Sequence, residues 1–545
     1  MAAHRTGLVG VLRVGVANMI LDLEKHDTPA ALDAQVCIVG GGAVGILTAV
    51  ELSEAGLDVV LLEGGGQTIE TKSQDLHHGK SVGHPFQNID VGRYRVLGGT
   101  TTFWGGQVVP FDAFVTGARP WLGYKAWPIP LAELDALFER TFRHIGLADA
   151  KVDDEDVWKG LRLDPPTLGG DLHVVLTRWV RIRNFAKLYA RTLRSAAGPR
   201  VLLHANAVAL DVADGSRNVR GVRARSLGGR QVTVRAQRIV LANGTLESVR
   251  LLKQPLQDGT PAPWTASPWL GAPLIDHLDC IAGDVQILDY KRFHEYFDNA
   301  YVDGHKYFPK IRLGPTTQKE EGLVDIAAQF LYRTRMAEHL EYLKMFLRSL
   351  REGGAQVPLR SLPAHALAVA SAVVPLATRY FRDRRSFKPL DAEVALAFNC
   401  EQLPCNRSRV ELGPDTDALG SRRLRVDWQI DGSELRSMRI IGQRVKRQLE
   451  AHGLARVTLD PRVENEDPSF LSSIHDAVHQ MGTTRMAIDP MDGFVDANLR
   501  VHDSSNLYVA GAAVFPTTGF ANPTFTALAL GLRLADHLTK ELRGG

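Results

Sequence analysis

The chain has 545 residues, a net charge of +3, 45% hydrophobic residues and 23% charged residues. This length exceeds the roughly 250–300 residues at which one core stops growing, so two domains are expected. The composition is that of a globular protein, and the small net charge gives no argument for nucleic-acid binding. Four cysteines are too few for a disulfide framework and form no C-x-x-C pair, which favours a reducing, cytoplasmic compartment.

The chain begins with a short apolar run, residues 7–12, which Arg13 interrupts. This run is too short to span a bilayer and lacks a clear small-residue cleavage site. We therefore interpret residues 1–32 as an arm on the surface of the main body. A secretion signal is the alternative.

The first long motif is a strand, a glycine cluster, a helix and a second strand. Residues 35–39 are a β-branched run, residues 43–55 have apolar residues at helical spacing, and residues 58–62 form another apolar strand that ends in an acid. That acid stands 23 residues after the first glycine of the cluster. The pattern is typical of a Rossmann-like dinucleotide-binding unit.

Each glycine of the cluster has an expected task. Gly40 would allow the tight turn, Gly42 the close approach of the pyrophosphate, and Gly45 the packing of helix on strand. The free N–H groups at the start of the helix would face the phosphates. Glu63 would accept hydrogen bonds from the adenosine ribose.

The rest of the chain predicts an α/β (α+β overall) protein, in which a second domain is an antiparallel sheet covered by helices. Short strands separated by turns, one of them at residues 214–215, fill 201–240 and predict a β-meander. Later patterns predict strands over 280–330, helices over 333–388, strands over 393–398, 409–412 and 424–430, a helix over 433–452, a strand over 506–511 and a closing helix over 524–542. We assign 33–270 plus 469–545 to the first domain and 271–468 to the second.

An apolar stretch over residues 364–377 interrupts the second domain and is too short to span a bilayer. Arginines flank it at Arg348, Arg351, Arg360, Arg379, Arg382, Arg384 and Arg385. A buried or half-buried helix pair is the preferred interpretation. A peripheral membrane or subunit contact through 364–385 is the alternative.

Two polar motifs near the end of the chain are candidates for catalysis. His479 precedes Gln-Met-Gly-Thr, and Asn522 precedes Pro-Thr 43 positions later. A neutral imidazole has an ordinary pKa near 6.5 and can take up a proton at neutral pH. His475 stands four residues before His479, but no third ligand lies nearby and Gly482 would end any helix, so we predict no metal site.

Several blocks in order resemble the glucose–methanol–choline (GMC) oxidoreductase family. Besides the glycine cluster they are residues 98–106, 127–138, 270–277, 401–410, 479–486, 495–511 and 522–524. The resemblance implies FAD in the first domain, with its isoalloxazine ring against the antiparallel sheet of the second. It also implies that His479 lies near flavin N5 and the substrate hydroxyl, with Asn522 as its partner where other members carry a second histidine.

The resemblance further implies a cofactor-binding set beyond the glycine cluster and Glu63. Its members are Gly99, Thr100, Thr101, Trp104, Val208, Ala242, Gly244, Gly511, Pro523 and Thr524. Some sugar oxidases of the family bind FAD covalently through a histidine, and Phe103 occupies that place here. We therefore predict non-covalent FAD. Glu247, Asp276 and His277 are interpreted as structural or supporting residues.

Asn522 makes the chain most similar to the bacterial sugar dehydrogenases and pyranose oxidase-like members of the family. The predicted function is oxidation of a CH–OH group, of a sugar or glycoside, by hydride transfer to flavin N5 with His479 as base. A dehydrogenase is preferred to an oxidase, and oxygen, a quinone or a partner protein remain open as electron acceptors. Three alternatives stay open. They are the same chemistry on a hydrophobic or lipid-linked alcohol at a membrane surface, a non-catalytic flavin-binding protein, and a different flavin enzyme class, such as a hydroxylase or desaturase, which would share the glycine motif but not the pair His479 and Asn522.

Overall fold

The computed structural model describes residues 20–25, 28–212, 216–256, 259–352 and 359–544. Residues 1–19 of the predicted arm, the predicted turn at 214–215, and the side chains of Arg348 and Arg351 lie outside this description. The described remainder of the arm is not separate from the body, because Ile20–Asp22 pairs in parallel with Arg200–Leu203 at the edge of the first sheet.

The first sheet is mainly parallel and lies between helices. Its strands lie in the order Ile20–Asp22, Arg200–Leu203, Val59–Leu62, Ala31–Val39, Gln231–Leu241, Val219–Arg225 and Asn206–Val212, and Leu507–Val509 also pairs with Gln231–Leu241. The central strands are continuous apolar runs, because a parallel sheet with helices on both faces is buried on both faces. Helix Ala43–Glu54 packs on helix Thr524–Gly544, which joins the two ends of the chain.

The second sheet is antiparallel. Its strands lie in the order Ala455–Leu459, Leu278–Ile287, Glu393–Cys400, Ile326–Arg333, His305–Leu313, Leu172–Trp179 and Gln107–Val108, with Ala300–Val302 beside His305–Leu313 and His475–Asp476 beside Leu278–Ile287. Three of these strands, 107–108, 172–179 and 475–476, come from stretches that were expected to belong to the first domain. Strand 172–179 joins because it pairs along its whole length with strand 305–313.

A small third sheet combines one strand from the predicted first domain with two from the predicted second domain. Its strands are Arg409–Thr416, Arg422–Trp428 and Lys80–Gly83. The mixed α/β class, with a Rossmann-like domain and a second domain on an antiparallel sheet, is confirmed.

The remaining helices are Thr71–Gln74, Ala113–Thr116, Leu131–His144, Asp154–Leu161, Phe185–Leu188, Ala190–Leu193, Thr245–Lys253, Tyr290–Phe297, Pro315–Glu321, Arg335–Glu352, Leu362–Phe381, Leu435–Ala451 and Pro461–Glu464. Single 3₁₀ turns occur at Asp75–His77, Gln87–Ile89, Gly99–Thr102, Pro120–Leu122, Pro263–Ala266, Leu359–Ser361, Pro468–Ser473 and Ala512–Val514. The two helices within 333–388 and the helix near 433–452 are confirmed. The prediction that the apolar helix of the pair packs in a buried or half-buried position is wrong, because most of its side chains are exposed.

The prediction of strands throughout 280–330 is wrong at two helices, 290–297 and 315–321. The first of these begins at Asp289, whose side chain accepts a hydrogen bond from the backbone N–H of Arg292. Phe293 and Phe297 are four residues apart and both are buried, which is the spacing of one helix face. Aromatic residues are common in strands, but here they form the buried face of a helix.

Candidate active site

A cavity of about 630 Å³ opens between the first sheet and the segment that carries His479. Its size is within the range of ligand sites. Its walls contain these predicted residues: Gly40, Gly42, Glu63, Gly99, Thr100, Thr101, Phe103, Trp104, Val208, Ala242, Gly244, His479, Gly511, Pro523 and Thr524. Gly45 packs behind this wall and Asn522 contacts His479, so the predicted set converges on one place.

The glycine turn fits the close approach of a pyrophosphate. Gly40 has φ of +107°, and a Cβ on Gly45 would lie 1.9 Å from the carbonyl oxygen of Gly40. At Gly42 and Gly511, in contrast, no atom lies within 4 Å of the Cβ position, so their backbone faces open space. Gly42 also caps helix 43–54 without any side-chain hydrogen bond, which leaves the first N–H groups of the helix available to an anion.

Glu63 is fixed at the edge of the same cavity. Its carboxylate accepts hydrogen bonds from the backbone N–H groups of Gly41 (2.9 Å) and Gly65 (2.8 Å). Burial raises the pKa of Glu63, while these two N–H groups and Arg95 act in the opposite direction. The oxygens retain lone pairs that can accept ribose hydroxyls.

A buried charge cluster lines the cavity and was missed from the sequence. Glu247 contacts Arg93 (3.0 Å) and Arg95 (2.5 Å), and Arg250 contacts Asp417 (2.6 Å). Burial would raise the pKa of Glu247, but the arginines outweigh it and hold that pKa well below its usual range. The i, i+3 pair of Glu247 and Arg250 was visible in the sequence, whereas the partners at 93 and 95 are about 150 positions away.

Two antiparallel segments place His479 beside His277. Bridges and pairs join 275 to 481, 278 to 476 and 279 to 475. The carboxylate of Asp276 ties them together, because it accepts hydrogen bonds from the backbone N–H groups of His277 (2.7 Å), Ala477 (3.1 Å) and His479 (3.0 Å). Val478 has φ of +64°, which a β-branched residue rarely adopts. The fold therefore holds the backbone before His479 in one unusual conformation.

This segment is not a helix, so His475 and His479 do not share a helix face. Among the described residues, no group of three His, Cys, Asp or Glu side chains is arranged to hold a metal ion.

The hydrogen bonds of the His479 imidazole define its tautomer. Nδ1 of His479 lies 2.9 Å from Nδ1 of His277, and Nδ2 of Asn522 lies 3.2 Å from Nε2 of His479. Because an amide nitrogen can only donate, Nε2 of His479 is an acceptor, and its Nδ1 carries the proton. That proton is donated to Nδ1 of His277.

Both imidazoles are neutral. Burial, then the neighbouring His277 and Lys310, hold the pKa of His479 well below its usual range. Burial and then Lys310 lower the pKa of His277 to about 3. The Nζ of Lys310 donates to Oδ1 of Asn399 at 2.6 Å, and burial lowers the pKa of this lysine to about 8. A fixed positive charge thus stands behind the two histidines and opposes their protonation.

Several polar atoms around His479 have no partner within the described part of the protein. They include the buried Oδ1 of Asn522 and the buried Nε2 of Gln480, a residue of the cavity wall. Buried polar groups are normally hydrogen-bonded, so these atoms are suited to a bound molecule. Phe103 is exposed in the cavity wall, and its ring centroid lies 5.3 Å from that of Tyr94.

The fold and the site define a protein with a Rossmann-like dinucleotide-binding domain and a neutral imidazole at the cavity of that domain. Residues 33–82 match the model of an FAD binding domain, and residues 404–531 match the model of the GMC oxidoreductases. The later part of the chain is thus similar to the GMC oxidoreductases, and its early part is similar to FAD binding domains.

Named relatives match the chain over limited stretches. The large subunit of fructose dehydrogenase from Gluconobacter japonicus is 33% identical over 148 residues, which are 27% of this chain and 25% of the relative. C-glycoside 3-oxidase from Arthrobacter globiformis is 31% identical over 127 residues, 23% of each chain, and pyranose 2-oxidase from Lyophyllum shimeji is 38% identical over 69 residues, 13% of this chain and 11% of the relative. The matched stretches thus span about a quarter of these relatives' length, or less.

Solved structures match over nearly the whole chain. A fungal aryl-alcohol oxidase aligns with a TM-score of 0.57 at 17% identity, over 94% of this chain and 99% of that one. An FAD-dependent oxidoreductase from Chaetomium thermophilum aligns with a TM-score of 0.56 at 15% identity, over 94% and 100%. At such identities the likeness establishes the fold alone.

Proposed function

We propose that this protein oxidises a CH–OH group of a sugar or glycoside with non-covalently bound FAD. One observation carries the proposal. The neutral imidazole of His479, which contacts the amide of Asn522, borders the cavity onto which the glycine turn and the uncapped helix open.

The residues of the cavity suit FAD. The turn at Gly40 and Gly42, with the N–H groups of the following helix, would hold the pyrophosphate, and Glu63 would bind the ribose. The loop over 99–104 and the residues Gly511, Pro523 and Thr524 would surround the flavin. When bound, FAD supplies the acceptor for the hydride that leaves the alcohol carbon.

The proposed role of His479 is that of the base. Its Nε2 takes the hydroxyl proton, and the C–H bond of the same carbon breaks as the hydride departs, so that CH–OH becomes C=O. When substrate binds, its hydroxyl takes the place of Asn522 as donor to Nε2 of His479, and the amide of Asn522 donates to the substrate oxygen and fixes which carbon is presented. As Nε2 becomes protonated, the hydrogen bond that Nδ1–H of His479 donates to His277 keeps the imidazolium in its orientation.

The names of the relatives support a sugar or glycoside as the substrate class, since three of them are a fructose dehydrogenase subunit, a pyranose 2-oxidase and a C-glycoside 3-oxidase. We also propose a dehydrogenase rather than an oxidase. The support is that two of the relatives are dehydrogenases, of fructose and of 2-methyl-1,2-propanediol. Both relatives match over only part of their length. The rate at which air restores the colour of the reduced flavin separates a dehydrogenase from an oxidase.

A hydrophobic alcohol is the second candidate substrate, because an apolar helix of the second domain is exposed. A single anaerobic experiment separates the candidates. The purified protein is mixed with sugars, glycosides, polyols and long-chain alcohols, and its absorbance near 450 nm is followed. We expect bleaching by a sugar or glycoside and slow recolouring in air. Bleaching by long-chain alcohols alone would support the second candidate, and a flavin that no alcohol bleaches would indicate a non-catalytic binding protein.

The same preparation tests the mode of cofactor binding. After precipitation with acid, we expect all of the flavin in the supernatant, because the side chain of Phe103 cannot form the histidyl link. A yellow pellet would show covalent attachment and would contradict this part of the proposal.

A further inference from the structure

The apolar helix Leu362–Phe381 is exposed where a core helix would be buried. Residues 362–378 contain no Asp, Glu, Lys or Arg, and Ala372 is the residue of this helix that is buried. Leu367 and Val374 are each 72% exposed and Phe381 is 80% exposed. The helix extends beyond 364–377 to 20 residues, so the prediction that this stretch is too short to span a bilayer is wrong. It is neither a core helix nor at the start of the chain. So large an exposed apolar surface indicates an interaction site.

A second helix covers one side of it. Helix Arg335–Glu352 and the apolar helix form a hairpin, which we call the helical hairpin. The ring of Tyr342 stacks on that of His365 at 3.8 Å, and Nδ1 of His339 lies 2.8 Å from Nδ1 of His365. The covering helix itself exposes Met345. Its charged residues exclude a bilayer-spanning pair, so the hairpin is suited to lie on a surface instead.

The charge of the hairpin points to an anionic partner. Residues 335–385 contain nine Lys or Arg and four Asp or Glu, a net charge of +5 against +3 for the whole chain. Arg360 precedes the apolar helix, and Arg382 and Arg384 follow it, all three exposed. Cationic side chains beside an apolar segment are attracted to the negative surface potential of a membrane that contains anionic lipids.

We propose that the helical hairpin docks the protein on an anionic membrane surface. The apolar helix lies in the interface with Leu367, Val374 and Phe381 among the acyl chains, and the arginines at its ends contact lipid phosphates. The inference does not depend on the proposed catalytic activity.

The hairpin is anchored firmly enough to hold the second domain on that surface. It connects two neighbouring strands of the antiparallel sheet, Ile326–Arg333 and Glu393–Cys400. At its base, Arg379 contacts Asp298 at 3.3 Å and the ring of Tyr380 lies 4.9 Å from that of Tyr301. Docking would therefore orient the whole domain.

Vesicle co-sedimentation of the full chain tests the proposal. The probes are vesicles of phosphatidylcholine alone and of phosphatidylcholine with phosphatidylglycerol, each at low and high salt. We expect sedimentation with the anionic vesicles, weakened by salt. The double variant Leu367→Glu/Val374→Glu should lose at least about tenfold in vesicle affinity. Ile488→Glu/Met491→Glu, at positions 80% and 78% exposed outside the hairpin, is the matched control and should bind normally.

The charge contribution is tested separately with the variant Arg360→Gln/Arg382→Gln. This variant should bind anionic vesicles more weakly than the wild type and should have the same melting temperature.

Failure of the wild type to sediment with anionic vesicles, or an equal loss of vesicle affinity in hairpin and control variants, would overturn the proposal. So would a wild-type dimer in light scattering that Leu367→Glu/Val374→Glu converts to a monomer without any vesicle binding, because the occupant would then be a second copy. None of these results depends on flavin bleaching, so they are distinguishable from failure of the proposed function.

Discussion

The protonation state of His479 is set by three neighbours that act in different ways. Asn522 donates to Nε2, His277 accepts from Nδ1, and Lys310 repels a proton by its charge. In this arrangement Nε2 is free of its own proton at neutral pH, as a base must be. Each neighbour can be changed without touching His479.

His277 is expected to act as a positioning residue. His277→Leu removes the acceptor for Nδ1–H of His479, so that the tautomer needed for catalysis is no longer favoured. We expect the rate of flavin reduction by substrate to fall by roughly 10- to 100-fold, the equivalent of one lost buried hydrogen bond. Stopped-flow absorbance measures this rate.

His277→Asn is the matched control, since its amide oxygen can accept the same proton. It should retain most of the rate and show the wild-type pH profile. Equal loss in His277→Leu and His277→Asn would mean that His277 acts through packing alone.

The charge of Lys310 predicts a shift in pH dependence. A positive charge disfavours the imidazolium, so Lys310→Met should raise the pKa of His479. The rate of flavin reduction falls as the pH drops through that pKa, and the acidic limb of the profile should therefore move to higher pH. Above the pKa of about 8 of Lys310 the lysine is neutral, and variant and wild type should converge.

Lys306→Met provides the control for that experiment. Lys306 lies on the same strand, with its Nζ 3.6 Å from the centroid of the Trp179 ring, and it does not contribute to the pKa of His479. An unchanged acidic limb in Lys310→Met, or the same movement in Lys306→Met, would contradict the electrostatic role.

At the residue scale, the sequence identified the converging side chains but not their electrostatics. The context of His479 and Asn522 in their motifs was sufficient to select them among 18 histidines and many amides. His277 lies 202 positions from His479, so the hydrogen bond between the two imidazoles cannot be predicted from residues near either histidine. The state of the imidazole depends on that contact and on burial, which only the fold determines.

At the scale of elements, the glycine turn offers the sharpest test of the cofactor site. In Gly42→Ala the new Cβ meets no protein atom within 4 Å and projects toward the cavity. The flavin-free protein should therefore melt as the wild type does, while its affinity for FAD falls by about tenfold or more. Fluorescence titration of FAD and thermal melting measure the two properties.

Gly45→Ala is the contrasting change. Its Cβ would lie 1.9 Å from the carbonyl oxygen of Gly40, so we expect loss of folding stability as well as of FAD binding. If Gly42→Ala bound FAD like the wild type, the backbone at position 42 would not face the cofactor.

Helices whose apolar residues recur at helical spacing could be predicted from the sequence. Strands that pair with a strand far away in the sequence could not be assigned to their sheet. Helices such as Thr524–Gly544 follow from apolar spacing. Strand 172–179 has no local mark that assigns it to the second sheet, because its partner, strand 305–313, lies more than a hundred residues later. The exposure of helix 362–381 was equally invisible, since the same apolar stretch would also suit a buried helix.

At the scale of the whole molecule, the two ends of the chain build one site. Helix 43–54 packs on helix 524–544, so that the glycine turn and the Asn522 loop come from opposite ends of the sequence. The segment before His479 then joins the second sheet through Leu278–Ile287. We expect the cofactor to stabilise this assembly by mass action, about 2.7 kcal/mol at a hundredfold excess over its dissociation constant.

The most direct measurement is anaerobic single-turnover reduction of the bound flavin in wild type and His479→Ala, with the sugar or glycoside that bleaches the wild type. The account predicts that His479→Ala retains its flavin and its melting temperature but is reduced about 10²- to 10⁴-fold more slowly, the usual contribution of a general base. Reduction of His479→Ala at the wild-type rate would contradict the assignment of His479 as the base.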